Sequence, residues 1–374
     1  MPVYLDNAAT TRVCPEAARA ALEAMTEGYG NPSSGYAAGR EAAAALKTHR
    51  ATLAAALGCA PEELCFTSCG TEGDNWAIRS AAEHGKRRGR HLITTAIEHA
   101  AVLEPMRDLA RQSWEVTYLK PDRAGRVSVE ELKAALRPDT VLVSMMLVNN
   151  ELGTLQPVAE AAAAVKAFDR DILFHTDAVQ AFLKVPFTPA GLGVDLLTVS
   201  GHKVRAPKGI GAQYIRKGLK LRPMLYGGGQ ESGLRPGTEP TAQIAAFAAA
   251  CAAWDGDWPE QIRAVKEYAL EALSAVPGLV VVSPGDAPHI CAVSLPGYPS
   301  EMLVRALSDR GICVSSGSAC HRGKPSHVFA ALGLPKGVLT GVLRISFSPE
   351  NTFADADALR SALLQITRER VARA

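Results

Sequence analysis

An acidic and a basic side chain each stand where a predicted buried strand ends. Asp177 closes the predicted strand 172–177, and Lys203 follows the predicted strand 195–199 within the segment SGHK. In an open parallel sheet, ligands bind outside the carboxyl ends of the strands. An acid placed there can meet a cationic ligand group, and a partly desolvated lysine can attack a carbonyl. Taken singly, Asp177 is more typical of a helix N-cap or loop, and Lys203 of a solvated surface charge.

The segment TSCGTE (67–72) is predicted to turn from a strand into a helix. Its free backbone N–H groups and the positive end of the helix dipole would bind an anion, typically phosphate. An acid, an amine and a phosphate site are together what pyridoxal 5′-phosphate (PLP) requires. Asp177 would keep the pyridine nitrogen protonated and Lys203 would form a Schiff base. The phosphate would be held by Gly70, Thr71, Ser200 and His202.

Cys320 lies in the segment SSGSACHRGK (315–324), which is rich in serine and glycine and predicts an exposed loop. The neighbouring basic residues favour the thiolate, the reactive form of cysteine. An incidental surface cysteine is the alternative. Most of the other cysteines are predicted to be small buried residues, Cys313 among them, and no C-x-x-C pair suggests a metal site.

The elements that must position these groups divide into two blocks. In the first, apolar strands alternate with helices, which predicts an α/β domain with a mainly parallel central sheet flanked by helices. Its strands are predicted at 64–67, 91–96, 114–119, 141–149, 172–177, 195–199 and 209–215, and its helices at 15–25, 36–57, 75–83, 100–111, 129–136 and 158–168.

A Gly/Pro-rich segment, GGGQESGLRPGTEP (227–240), marks the change to a smaller C-terminal α+β pattern. Helices are predicted up to 254 and at 258–275, 301–310, 327–332 and 354–372, and strands at 279–282, 290–295, 312–315 and 342–347. We expect a large PLP-binding domain at 12–255. Residues 1–11 and 256–374 are expected to form a small domain that carries the Cys320 loop.

Composition excludes several classes of protein. The chain of 374 residues has 40 Lys+Arg against 38 Asp+Glu, so it lacks the basic excess of a nucleic-acid-binding protein. No apolar run is long enough to span a membrane, and the first residues lack the features of a signal peptide. We therefore expect a soluble cytoplasmic protein that binds neither membrane nor nucleic acid.

The motifs together resemble those of cysteine desulfurases of the NifS/IscS type, in the class V aminotransferase family of fold-type I PLP-dependent enzymes. SGHK with HTDAVQ is typical of the superfamily, and SSGSAC narrows the resemblance to desulfurases with a nucleophilic cysteine. The resemblance covers nearly the whole chain, through YLDNAATT (4–11), GNPSS (30–34), TSCGTEGDN (67–75), IEHAAV (97–102), VNNELG (148–153), HTDAVQ (175–180), SGHK (200–203), GGGQESGLRPGT (227–238), SSGSAC (315–320) and LRISF (343–347).

The resemblance implies a role for each matching residue. Lys203 would form the Schiff base and move the Cα proton of the substrate, L-cysteine. The Cys320 thiolate would attack the substrate sulfur, and the resulting persulfide would pass to an acceptor, either an iron–sulfur scaffold or a thiolation enzyme. For the cofactor ring, His99 would stack on it, Asp177 would pair with its nitrogen and Gln180 would bind its hydroxyl group. For the substrate carboxylate, Arg344 would clamp it, with Asn31 nearby, and Asn150 would lie near both it and the ring hydroxyl. Thr238 would reach the phosphate in the partner subunit of a homodimer.

Simpler interpretations exist for several of these residues. His99 could merely cap a helix, His202 could be a satisfied buried histidine, and Arg344 could pair with a structural carboxylate. Asn150 could simply end its strand. No firm metal ligand is predicted. Cys320 could transiently bind an iron–sulfur cluster, and in that sense the protein is expected to bind metal.

Three features depart from the family pattern: the segment after Cys320 is short, Cys69 replaces a glycine, and Arg205 replaces an aromatic residue. The alternative functions are a selenocysteine lyase, another class V aminotransferase or lyase, and a non-catalytic sulfur-transfer scaffold. A transaminase has no need of the Cys320 thiol. A scaffold has no reason to keep Lys203, Asp177 and Arg344 together.

Overall fold

The computed structural model describes residues 2–316 and 326–371, so Cys320 lies outside the described residues. The strands are β1 Val3–Tyr4, β2 Leu64–Thr67, β3 His91–Thr95, β4 Glu115–Leu119, β5 Thr140–Ser144, β6 Leu173–Asp177, β7 Leu196–Ser200, β8 Gly211–Ile215, β9 Val280–Ser283, β10 Ile290–Ser294, β11 Ile312–Cys313, β12 Ser315–Ser316 and β13 Val342–Ser346. The helices are α1 Pro15–Thr26, α2 Ala37–Leu57, α3 Gly70–Gly85, α4 Ala100–Arg111, α5 Val129–Ala135, α6 Val158–Phe168, α7 Pro189–Leu192, α8 Thr241–Ala252, α9 Trp258–Leu273, α10 Ser300–Ser308, α11 His327–Ala331, α12 Lys336–Thr340 and α13 Phe353–Val371.

A seven-stranded sheet in the order β2-β8-β7-β6-β5-β3-β4 forms the centre of the first block. Its strands β3 to β7 run parallel to one another, and β8 is antiparallel to both β2 and β7. Every residue of β5, β6 and β7 is buried, because helices cover both faces. The predicted α/β class with a mainly parallel sheet is confirmed.

The predicted strand 141–149 is too long. The strand ends at Ser144, after which Leu147 N still donates to Asp177 O at 2.9 Å while Asn149 N donates to Thr154 O at 2.9 Å. The residues between are buried and apolar, so they keep the composition of a strand after the regular strand has ended.

Helix α3 starts five residues before its predicted beginning at 75. Cys69 has an extended backbone and stands at the N-cap, and Gly70 is already helical. The two glycines of the first turn are poor helix formers, so intrinsic propensity places the start too late.

The second block contains an antiparallel sheet in the order β12-β13-β10-β9, beside a small parallel pair of β1 and β11. The predicted strand 312–315 is divided at Val314, because β11 pairs with β1 and β12 pairs with β13. Cys313 lies in β11 as predicted but is only half-buried, so its assignment to the core is wrong. Within residues 2–316 and 326–371, no helix is both long and apolar enough to cross a bilayer.

Candidate active site

A cavity of about 470 Å³ opens at the carboxyl ends of β6 and β7, against β12 and β13 of the second sheet. This is the edge at which parallel sheets bind ligands. The predicted site residues that line it are Gly70, Thr71, His99, Asn150, Asp177, Gln180, Ser200, His202, Lys203 and Arg344. Ten predicted positions from six separate segments of the chain therefore meet in one place.

Lys203 ends a short 3₁₀ turn, Gly201–Lys203, that directly follows β7. Its Nζ donates to Ala8 O and to Ala9 O, each at 2.7 Å. Burial, followed by the positive charge of Arg344, lowers the pKa of Lys203 to about 8, although the negative charges of Asp177 and Asp6 oppose both effects. A substantial fraction of the amine is therefore neutral and nucleophilic near neutral pH.

Asp177 is the last residue of β6 and is 6% exposed. Its Oδ1 accepts a hydrogen bond from Val179 N at 2.8 Å. Burial raises the pKa of Asp177, whereas the positive charges of His99 and Lys203 pull it down. A cationic nitrogen brought against this carboxyl would favour its ionised form.

His99 is the N-cap of α4, where its Nδ1 accepts a hydrogen bond from Ala101 N at 3.1 Å. The simple capping role is therefore present, but the ring is also open to the cavity. Desolvation by the surrounding protein lowers the pKa of His99; the charge of Asp177 opposes this effect and that of Lys203 adds to it. A neutral imidazole that faces the cavity can both stack on a ring and transfer a proton.

The start of α3 provides the anion-binding end of the cavity. A Cβ added to Gly70 would lie 2.9 Å from Val179 Cγ2, so only glycine lets the backbone come this close. Ser200 Oγ is buried with no hydrogen-bond partner among the described residues. His202 Nδ1 shares a hydrogen bond with Thr10 Oγ1 at 3.2 Å, and burial lowers the pKa of His202 to about 4. All three residues line the same cavity, and a phosphate group there would meet the Ser200 hydroxyl and the backbone at Gly70.

Arg344 projects from β13 on the opposite side of the cavity and is 8% exposed. Its Nη2 lies 2.7 Å from Asp6 Oδ1, and its Nη1 donates to Asn150 O at 3.0 Å. Arg344 thus has the structural carboxylate partner that the simpler interpretation expects. Its Nε and Asn150 Oδ1 are buried without partners in the described part of the chain. These two atoms remain for a ligand.

Gln180 is held at both ends of its amide. Its Nε2 donates to Ala8 O at 2.9 Å, and its Oε1 lies 3.2 Å from His289 Nε2. Ala8 O therefore accepts from both Gln180 and Lys203. The N-terminal segment is a structural part of the cavity wall.

Three acids near the cavity, of which Glu98 and Asp74 are buried and Glu151 is half-buried, were not among the predicted site residues. Glu98 accepts hydrogen bonds from Thr95 Oγ1 at 2.8 Å and Met146 N at 2.9 Å, and burial raises the pKa of Glu98 to about 8. Glu151 accepts from Ser326 Oγ at 2.8 Å, and burial raises its pKa to about 7. Asp74 is the third. All three lie inside the motifs IEHAAV, VNNELG and TSCGTEGDN that carry the resemblance. Their position in these motifs is the sequence feature that could have identified them as residues near the site.

Asn31 and Thr238 do not line the cavity that the described residues form. Asn31 is exposed and its Oδ1 accepts from Ser33 N at 2.9 Å. Thr238 borders a separate hollow of about 170 Å³. No group of three or more His, Cys, Asp or Glu in the described ranges is arranged to hold a metal ion, so the metal-binding expectation has no support there.

The sequence matches the family described as Aminotransferase class-V over residues 3–359. It is 41% identical over 376 residues to the protein named Cysteine desulfurase IscS from Methanosarcina thermophila, covering 98% of this chain and 92% of that protein. A Cysteine desulfurase from Trichormus azollae is also 41% identical, over 374 residues that cover 97% of this chain and 92% of the relative.

Solved structures with similar folds include proteins with related names. A NifS-like protein superposes with a TM-score of 0.93 at 37% identity, covering 99% of this chain and all of the other. A structure described as SspA in complex with cysteine has a TM-score of 0.82 at 34% identity, and covers 93% of this chain and 99% of its own.

Proposed function

The chain belongs to the class V aminotransferase family, and we propose that it is a PLP-dependent cysteine desulfurase that converts L-cysteine to L-alanine. The sulfur would be carried as a persulfide on Cys320. The observation that supports this most strongly is that Lys203, Asp177 and Arg344 line one cavity in a chain 41% identical to named cysteine desulfurases.

The residues present fit the cofactor. Lys203 supplies an amine with a pKa of about 8, and Asp177 supplies a buried acid for the ring nitrogen. The unpartnered Ser200 Oγ and the bare backbone at Gly70 fit the phosphate among the described residues. When bound, PLP supplies an electron sink that stabilises negative charge at the Cα of the amino acid.

Each protein group then has a task in the reaction. Lys203 takes the Cα proton, because its lowered pKa lets the amine be neutral before the transfer and charged after it. Asp177 keeps a proton on the ring nitrogen. Arg344 binds the substrate carboxylate, for which its unpartnered Nε is available in the described structure. Its pairing with Asp6 holds the guanidinium in place.

Cys320 is the proposed nucleophile on sequence grounds. Its thiolate attacks the sulfur of the bound cysteine, so that an S–S bond forms while the Cβ–S bond breaks. The electron pair of the broken bond stays with Cβ, which takes up a proton. The proton that Lys203 removed returns to Cα, and the product leaves as alanine. The persulfide would then pass to an acceptor protein, either an iron–sulfur scaffold or a thiolation enzyme.

We also propose the domain division 12–255 against 1–11 with 256–374. One hydrophobic core is built almost entirely from the first stretch, and a second from Leu5 and residues beyond 255.

The seven described cysteines form no disulfide with one another, which supports the cytoplasm as the compartment.

A homodimer is part of the same proposal. Large apolar side chains are exposed on α1, at Leu22 and Met25 one turn apart, and directly before the Gly/Pro-rich segment, at Tyr226. Leu22 and Met25 are neighbours on α1, and contiguous exposed apolar side chains commonly mark a protein interface. A dimer would also give Thr238 a phosphate to contact in the partner's cavity.

Product analysis tests the proposal. The purified holoenzyme with L-cysteine and a reducing thiol should release sulfide and alanine in equal amounts. Cys320→Ser should abolish release and keep the cofactor absorbance, whereas the matched control Cys313→Ser should behave as wild type. Undiminished sulfide from Cys320→Ser would refute the nucleophile. Turnover of L-selenocysteine alone, or of an amino-acid/keto-acid pair, would move the assignment to a lyase or a transaminase.

A further inference from the structure

Arg205, two residues after Lys203, has a backbone conformation that side-chain-bearing residues rarely adopt. Its φ is 67°, in the left-handed region that favours glycine. Such a conformation persists only where the surroundings fix it. Here Arg205 N donates to Thr11 Oγ1 at 2.8 Å, and Arg205 O accepts from Cys14 N at 2.9 Å.

The side chain of Arg205 reaches into the second block of the chain. Its Nη2 lies 2.8 Å from Glu350 Oε1, and its guanidinium carbon lies 5.0 Å from the centroid of the Trp258 ring. The Arg205 side chain is 13% exposed, so the ion pair and the cation–π contact are partly shielded from water. Both partners belong to residues beyond 255.

Trp258 stands where the two hydrophobic cores meet. It packs against the core of the antiparallel sheet, and Trp254 packs against the core of the seven-stranded sheet. The two indole rings meet edge to face at 5.2 Å. Arg205 therefore attaches the turn that carries Lys203 to the seam between the two cores.

The same turn is held from its other side by the N-terminal segment. Thr11 N donates to His202 O at 2.9 Å, and Thr11 Oγ1 lies 3.0 Å from the same oxygen. Lys203 Nζ donates to Ala8 O and Ala9 O. Thr11 thus contacts both His202 and Arg205, and so links Arg205 to the residue directly before Lys203.

We propose that Arg205 is a positioning residue. Its side chain, held by Glu350 and Trp258, fixes the position of the Lys203 amine relative to the contact between the two hydrophobic cores. This inference rests on the proposed function, in which Lys203 holds the cofactor. The aromatic residue that the family usually has at this position carries no charge to pair with Glu350. The ion pair is therefore a consequence of the departure noted in the sequence.

Two substitutions separate the side chain of Arg205 from its backbone. Arg205→Gly keeps the left-handed backbone without strain and removes the side chain that contacts Glu350 and Trp258. Glu350→Gln removes only the charge of the ion-pair partner, whose side chain is 44% exposed. Arg310→Ala is the matched control, because it breaks an ion pair of 2.7 Å with Glu369 at a residue that does not line the described cavity.

The readouts are the pH midpoint of the holoenzyme's cofactor absorbance and the rate of cofactor release to a trapping agent. We expect Arg205→Gly and Glu350→Gln each to move the midpoint and to speed release at least fivefold. The double variant should be no worse than Arg205→Gly alone, Arg205→Lys should recover part of the loss, and Arg310→Ala should match wild type.

Unchanged midpoints and release rates in both variants would overturn the inference, as would a loss of thermal stability alone. Failure of the proposed function would look different, because the wild-type protein would then show no cofactor absorbance attached to Lys203.

Discussion

The Lys203 amine should capture PLP with a pH midpoint near 8, well below the 10.5 of a solvated lysine. The perturbation is a change of pH, and the neutral amine is the reactive form. An amine with a pKa of 8 is about 9% neutral at pH 7, and one with a pKa of 10.5 is about 0.03% neutral. Lys203 should therefore present about 300-fold more reactive amine at pH 7 than a solvated lysine does.

The assay is the rate of absorbance change when the apoenzyme meets PLP, followed over roughly pH 6 to 11 so that both midpoints are spanned. Nα-acetyl-lysine in the same buffers is the matched control, since it shares the titration of PLP itself and lacks the buried setting. Lys203→Ala removes the contribution of Lys203 and reports any reaction at other lysines. A wild-type profile that follows the small amine, with no plateau above pH 8, would refute the reasoning that burial prepares this residue.

Two further predictions follow from the buried charges of the cavity. Arg344→Gln should raise the KM for L-cysteine about 10- to 150-fold with a smaller effect on kcat, because one charge-assisted hydrogen bond contributes about 1.5–3 kcal/mol. Steady-state kinetics measure both constants. An unchanged KM would contradict the role of Arg344 in binding the carboxylate. Glu98 has a folded pKa of about 8 against an ordinary value of 4.5, so the folded state keeps its proton over that interval and stability falls as pH rises through it. Glu98→Gln, which resembles the protonated acid, should remove up to about 1.4 kcal/mol per pH unit of that slope in urea titrations; an identical slope in the two proteins would contradict the burial argument.

Much of the fold could be predicted because the signal is local. The apolar runs of β5, β6 and β7 and the helical spacing of α4 and α6 are continuous in sequence, and the structure places these elements within one or two residues of their predicted starts. Errors arose where a buried segment, mostly apolar, continues past the end of a regular strand, at 145–149. They also arose where tertiary contacts start a helix at glycine, at Gly70.

The candidate site was predictable where motifs coincide with strand ends, as for Asp177 and Lys203. Non-local pairing could not be predicted. The contacts of Arg344 with Asp6 and of Arg205 with Glu350 join residues more than a hundred positions apart, and no spacing rule encodes them. Asn31 and Thr238 remain predictions, because the roles that the resemblance gives them depend on more than a single chain.

The central claim is that residue 203 bears the cofactor. Reduction of the holoenzyme with borohydride, followed by proteolysis and peptide mass mapping, tests it most directly. We predict one pyridoxyl-modified peptide, with the added mass on Lys203. Modification at a different lysine, or a reduced protein without any pyridoxyl group, would contradict the account.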